Sequence, residues 1–184
     1  MLDASMSTRP KYFEPFHQMI YKNYIREHPD KNRCDFTKLF ADKDALTSLT
    51  SDLCLPFEDT GITMVAAVDA LGFVLGSLCA NKLGTGLALI RKGGKTAWDA
   101  NALSFEDYSG KTKTLEITSD ALSPADQVLI VDDWSETGAQ LQTAIHLIES
   151  TNAKVIGAAM LHIDDAVLGL SELSKYRLHS VEAY

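Results

Sequence analysis

Two continuous apolar runs, each followed by a short turn and an amphipathic helix, constrain this chain more than any other feature. Thr63-Met64-Val65-Ala66-Ala67-Val68 leads into a helix from about Gly72, and Gln127 to Val131 leads into another from about Gly138. Runs that are apolar throughout, rather than alternating, suit strands buried on both faces of a parallel sheet. Leu87-Ala88-Leu89-Ile90 after the first helix and Lys154 to Met160 after the second complete two strand-helix-strand units. On the second helix Leu141, Ile145, Leu147 and Ile148 form an apolar face, with Gln142 and Glu149 left for solvent. The fold class this predicts is α/β: a Rossmann-like, mainly parallel central sheet flanked by helices, with its ligand at the carboxyl ends of the strands.

The remaining segments read differently. Phe13 to Ile25 and Asp44 to Leu53 have amphipathic helical spacing, and Pro56 precedes the first core strand. The chain is therefore expected to be one domain over 1–184, with 1–60 as a hood or cap and 61–165 as the core. Its 184 residues, 46% hydrophobic, suffice to bury about 70% of the surface of the unfolded chain. Between Arg91 and Ile117 the sequence turns polar, with Gly93-Gly94, Ser109-Gly110 and four lysines, and a mobile loop is expected there, of the kind often used as a lid over an active site.

Seventeen basic against 25 acidic residues give a net charge of -8, the wrong sign for a general binder of nucleic-acid backbones, so any phosphate site must be local. Cys34, Cys54 and Cys79 lack Cys-x-x-Cys spacing, and His17, His28, His146, His162 and His179 lack ligand spacing. Met1 to Lys11 carries no signal-like apolar run, and no stretch reaches the ~20 apolar residues of a membrane span. A cytoplasmic protein without nucleic-acid or membrane partners is expected.

The chemistry concentrates in Val128-Leu129-Ile130-Val131-Asp132-Asp133-Trp134-Ser135-Glu136-Thr137-Gly138-Ala139-Gln140. The strand is expected to end at the two acids, and the helix that follows presents free N–H groups and the positive end of its dipole to an anion. Thr137 and Gly138 stand where a phosphate would dock, glycine for close backbone approach and threonine for its hydroxyl. Asp132 and Asp133 suit an adjoining sugar: they can accept from ribose hydroxyls and favour positive charge on a reacting carbon.

Apolar residues, Asp-Asp, a few variable positions and Thr-Gly resemble the phosphoribosyl pyrophosphate motif of type I phosphoribosyltransferases. Ala67-Val68-Asp69-Ala70-Leu71-Gly72-Phe73 and Leu89-Ile90-Arg91-Lys92-Gly93-Gly94-Lys95 are similar to the adenine phosphoribosyltransferase branch. The resemblance implies transfer of a phosphoribosyl group from phosphoribosyl pyrophosphate to a purine base, adenine first. It also implies a magnesium ion held through substrate and water rather than directly by the protein, and a homodimer. By position, Asp132 and Asp133 would hold the ribose hydroxyls, and Ser135, Glu136, Thr137, Gly138, Ala139 and Gln140 the 5'-phosphate. Ala70, Leu71 and Gly72 would form the pyrophosphate loop, with Arg91, Lys92, Lys95 and the lid residue Lys111 facing the donor. Glu106 or Asp107 would manage the purine proton, and Phe36 and Trp134 would pack beside the base.

Departures accompany the match. Glu136-Thr137-Gly138-Ala139-Gln140 stands where the family has Ala-Thr-Gly-Gly-Thr, and Ala70-Leu71 where it has Ser-Arg. Tyr108-Ser109-Gly110-Lys111 lengthens the lid. Glu136 is expected to point away from the anion, because like charges ~4 Å apart repel by about 4 kcal/mol at an effective dielectric near 20. Plainer readings stand beside these: Ser135 as a helix cap, the Arg91 to Lys95 run as a solvated turn, Glu106 and Asp107 as solvated acids, and Phe36 and Trp134 as core filler. Two other functions stay open: a non-catalytic or regulatory protein that binds the donor or a nucleotide, and a phosphoribosyltransferase for another base, such as a 6-oxopurine.

Overall fold

The computed structural model describes residues 20–28, 33–107 and 109–182. After a 3-10 turn at Tyr21–Tyr24 come β1 (Arg26–His28), β2 (Arg33–Asp35), α1 (Thr37–Ala41) and α2 (Lys43–Cys54). They are followed by β3 (Met64–Val68), α3 (Leu71–Leu83), β4 (Gly86–Lys92), β5 (Ala100–Glu106), β6 (Thr112–Thr118) and β7 (Gln127–Ser135). The chain closes with α4 (Ala139–Glu149), β8 (Lys154–Ile163), α5 (Asp165–Leu168) and β9 (Arg177–Glu182).

A seven-stranded sheet runs in the order β5-β6-β4-β3-β7-β8-β9. β4, β3, β7, β8 and β9 are parallel, whereas β6 joins β4 antiparallel and pairs antiparallel with β5. The parallel part follows from the apolar runs, whose residues alternate between two buried layers. Ala66, Val68, Val128, Ile130, Ala158 and Met160 face α4 and its Leu141, Ala144, Ile145 and Ile148. Val65, Leu129, Val131, Ala159 and Leu161 face Leu49 and Leu53 of α2 and Leu75 and Cys79 of α3. The period of two along each strand thus meets a helix layer on either side.

Three expectations are corrected. β7 does not stop at its acids: β8 runs on to Ile163, so that Asp132 pairs with Met160, Trp134 with His162 and Ser135 with Ile163. Ser135 is accordingly a buried strand residue, and Gly138 rather than Ser135 precedes α4. Most of the expected mobile loop is the β5-β6 hairpin, paired from Ala100 with Thr118 to Glu106 with Thr112. The threonine-rich stretch Thr112-Lys113-Thr114 suits a pleated strand, and Phe105 packs against the α4 layer. Of the helix expected over Phe13 to Ile25, residues 13–19 lie outside the described residues, as do Met1 to Lys11 and His17. Residues 21–24 form the 3-10 turn, where buried Tyr21 donates its hydroxyl to Asp52 on α2.

The helix expected over Asp44 to Leu53 is present as α2, capped by Asp42, whose Oδ1 accepts from Asp44 N at 3.0 Å and Ala45 N at 2.9 Å. Leu39, Leu49, Leu53 and Phe57 are fully buried against the sheet, so residues 37–57 form a layer of the core. No helix among the described residues is long and apolar enough to cross a membrane.

Candidate active site

α3 leaves β3 toward β4, and α4 leaves neighbouring β7 toward β8 on the opposite face, so the connections diverge between β3 and β7. In open α/β sheets a ligand crevice forms at such a divergence, outside the carboxyl ends of the strands. Two helix N-termini open there: α3 at Leu71, just after the cis Asp69–Ala70 peptide, and α4 at Ala139. Gly72 lets α3 approach β7; a Cβ there would meet Asp132 Oδ1 at 2.8 Å and Val131 O at 3.0 Å. Gly138 has φ 78° and hands Gln142 N its carbonyl at 2.8 Å, so this left-handed residue starts α4 without a side-chain cap.

At the end of β7, Asp132 is 3% exposed. Its Oδ1 accepts from Asp133 N at 2.9 Å and its Oδ2 from Gln140 Nε2 at 2.8 Å. Burial, then the neighbouring Asp133 charge, push the Asp132 carboxyl well above the usual carboxylate range. Asp133 is half-buried and lies within electrostatic reach of half-buried Cys34 on β2. Glu136 and Thr137 are exposed, and Thr137 Oγ1 accepts from Ala139 N at 3.4 Å. The Gln140 side chain, read from sequence as part of the phosphate loop, donates to Asp132 in this structure.

On the other side of the crevice, β4 ends in Arg91 and Lys92. Arg91 donates through Nη1 to Lys95 O at 2.8 Å, while its Nε is buried without a hydrogen-bond partner among the described residues. Lys92 is exposed. Lys95 Nζ sits 2.6 Å from Oδ2 of buried Asp69, and this hydrogen bond holds the Asp69 carboxyl below its ordinary value. Behind the turn stands Glu116 of β6, 8% exposed. It accepts from Gly94 N at 3.1 Å, Lys95 N at 2.7 Å and Thr96 N.

The lid acids differ. Glu106 is exposed at the end of β5, whereas Asp107 builds the hairpin turn, its Oδ1 accepting from Ser109 N at 2.9 Å, Ser109 Oγ at 2.7 Å and Lys111 N at 3.1 Å. These bonds, the Ser109 hydroxyl foremost, lower its carboxyl from the ordinary value. Tyr108 lies outside the described residues, and the Lys111 side chain is exposed. Phe36 is buried beside Phe40, ring centroids 6.3 Å apart, in the layer that also receives Trp134. Trp134 packs on His162 at 4.2 Å between ring centroids, and His162 Nε2 lies 2.9 Å from Asp164 Oδ1.

Sequence reasoning brought Ala70 to Gly72, Arg91 to Lys95 and Asp132 to Gln140 to the ends of adjacent strands, and there they are. It missed Asp69 and Glu116. Asp69 had a signal, since it directly follows the apolar run of β3 as Asp132 follows that of β7. Glu116 had none, being a single acid between Leu115 and Ile117.

Residues 43–182 match the family model described as the phosphoribosyl transferase domain. An adenine phosphoribosyltransferase of Rhodopirellula baltica is 34% identical over 176 residues, 93% of this chain and 85% of that protein. The chain belongs to the type I phosphoribosyltransferase family, on its adenine branch. The crystal structure of an adenine phosphoribosyltransferase from Rhodothermus marinus superposes with a TM-score of 0.81 at 32% identity, covering 88% of this chain and 94% of that one. An APRTase from Giardia lamblia, complexed with 9-deazaadenine, gives 0.81 at 29% identity, covering 89% and 97%. Among the described residues there is no group of three or more His, Cys, Asp or Glu side chains that could hold a metal ion.

Proposed function

We propose that this transferase moves the phosphoribosyl group of phosphoribosyl pyrophosphate to adenine, giving AMP and pyrophosphate. The observation that carries the reading is the placement of Asp132 and Asp133 at the strand divergence, between the α4 N-terminus and the Arg91 to Lys95 turn. An anion-binding helix end, a pair of acids and a cationic turn in that order suit 5'-phosphate, ribose and pyrophosphate. The bond from the ribose carbon to pyrophosphate breaks, the bond to the base nitrogen forms, and the base loses a proton. Asp133 and Asp132 accept from the ribose hydroxyls and favour the cationic ribose carbon, while Lys95 and Lys92 stabilise the departing charge. Magnesium arriving with the donor would offset its charge, and half-buried Asp133 would accept from a metal-bound water.

Glu106 is the better of the two lid acids for the base proton, because the Asp107 carboxylate is occupied by its turn. Phe36, Trp134 and the N-terminal layer flank the base. On this reading the enzyme works in the cytoplasm as a homodimer, in keeping with its three free cysteines and with apolar Val74 and Leu89 left exposed on α3 and β4. The test is nucleotide formation from the donor, magnesium and a panel of bases. AMP from adenine, with at least tenfold lower kcat/KM for hypoxanthine and guanine, supports the reading; turnover confined to a 6-oxopurine, or none with any base, overturns it.

A further inference from the structure

The Arg91 to Lys95 turn contains two glycines, carries three cations and has a side chain on Asp69 at its tip, so its shape needs an external support. Glu116 supplies it. The residue lies on β6, paired across the antiparallel ladder with Arg91. Its two carboxylate oxygens accept from three successive backbone N–H groups, those of Gly94, Lys95 and Thr96. A carboxylate only 8% exposed is costly unless its charge is met, and a fan of N–H donors meets it without a cation. Consistent with that, Thr96 and the other backbone N–H donors of the turn hold Glu116 at about 2, so it stays ionised at neutral pH. The cations of the turn are thereby left for other partners: Lys95 reaches Asp69 beside Ala70 and Leu71, where α3 begins.

We propose that Glu116 is a positioning residue for the leaving group: by clamping the backbone of Gly94, Lys95 and Thr96 it holds Lys95 across the Asp69 to Gly72 loop, where the pyrophosphate of the donor binds. Glu116 touches no substrate and acts through Lys95. The role rests on the transferase reading above. It predicts a division of labour, since a fault in the clamp is felt by pyrophosphate and not by the base.

Glu116→Gln tests it with little change of volume. A glutamine side chain turns an NH2 toward at least one of the N–H groups that now donate to the carboxylate, so the clamp loosens. Expected are a donor KM raised about tenfold, an adenine KM within twofold of wild type, and, in the reverse direction, a pyrophosphate KM raised like that of the donor with the AMP KM unchanged. Lys95→Met should give the same pattern, and the double variant should be no worse than Lys95→Met alone, because both changes remove one function. A merely structural role would instead lower kcat with the active fraction, leaving every KM in place. That outcome, equal rises in donor and base KM, or fully additive losses in the double variant each overturns the proposal. If wild type converts adenine and Glu116→Gln matches its donor KM, the positioning role alone fails. If wild type turns over no base yet binds the donor, and Glu116→Gln weakens that donor Kd tenfold by calorimetry, the reaction fails and the positioning role stands.

Discussion

Asp132 at the end of β7 and Glu116 behind the β4 turn are both buried carboxylates, 3% and 8% exposed, and they are displaced in opposite directions. Asp132 has one backbone N–H, one neutral amide and a second acid beside it, and burial drives it up. Glu116 has three backbone N–H donors and goes down to about 2. Burial alone therefore does not decide the charge of a group; the donors that meet it do. The ribose side of the crevice keeps an acid in an unfavourable setting, and the pyrophosphate side uses an acid as a scaffold.

The largest expected effect falls on the ribose side. Asp132→Asn should cut kcat by about a hundredfold or more while leaving the protein at least as thermally stable at neutral pH, because it removes a carboxyl whose charge is disfavoured by burial and by the neighbouring Asp133. The new amide oxygen can still accept from Asp133 N, and Gln140 can flip its amide to match. Wild-type kinetics in this variant, or a loss of stability matching the loss of activity, would break the contrast between the two acids.

Gly72→Ala comes next. The added methyl group, 2.8 Å from Asp132 Oδ1, must move that carboxylate or α3, and about 1–3 kcal/mol of stability should be lost by denaturant titration. A variant as stable as wild type would mean that α3 and β7 are not in firm contact at the site.

The pH dependence of stability sharpens the comparison at smaller amplitude. Glu116 has a lowered folded value, so its contribution is present above the ordinary 4.5 and is lost as pH falls through about 2. Asp132 has a raised folded value, so its contribution is complete below the ordinary 3.8 and is lost as pH rises through the folded value. Melting curves from about pH 3 to about pH 8 should show Glu116→Gln approaching wild type as pH falls and Asp132→Asn gaining on wild type as pH rises. Parallel trends in the two variants would contradict the assignment. The smallest effect is expected at Glu136, whose side chain is exposed: Glu136→Ala should leave donor affinity within a few-fold of wild type, and tightening by a hundredfold would make it an inward-facing brake.

The difference between the two regions also explains what the sequence discloses. Buried parallel strands require uninterrupted apolar runs, so β3, β7 and the helices after them can be read directly, and the acids and glycines at their ends locate the crevice. The hairpin β5-β6 is polar on much of its surface and packs through few residues such as Phe105, so its composition resembles that of a loop. Asp107, at its tip, looks like a free acid in sequence and is a turn residue in space. Glu116 depends on partners some 20 residues away, Gly94 to Thr96, a relation that no local pattern carries. Gln140 is the second residue of α4 and was legible as part of the phosphate motif, but the bond from its amide to Asp132 is a tertiary contact that no local pattern carries.

The most direct test of the site is a crystal structure of the protein with phosphoribosyl pyrophosphate, magnesium and 9-deazaadenine. The expected complex has the 5'-phosphate on the N–H groups at Thr137 to Ala139, the ribose hydroxyls on Asp132 and Asp133, and the pyrophosphate between Lys95 and the Ala70 to Gly72 loop, with Glu116 still bonded to Gly94, Lys95 and Thr96. Pyrophosphate bound away from Lys95, or ribose hydroxyls that reach neither aspartate, would contradict it.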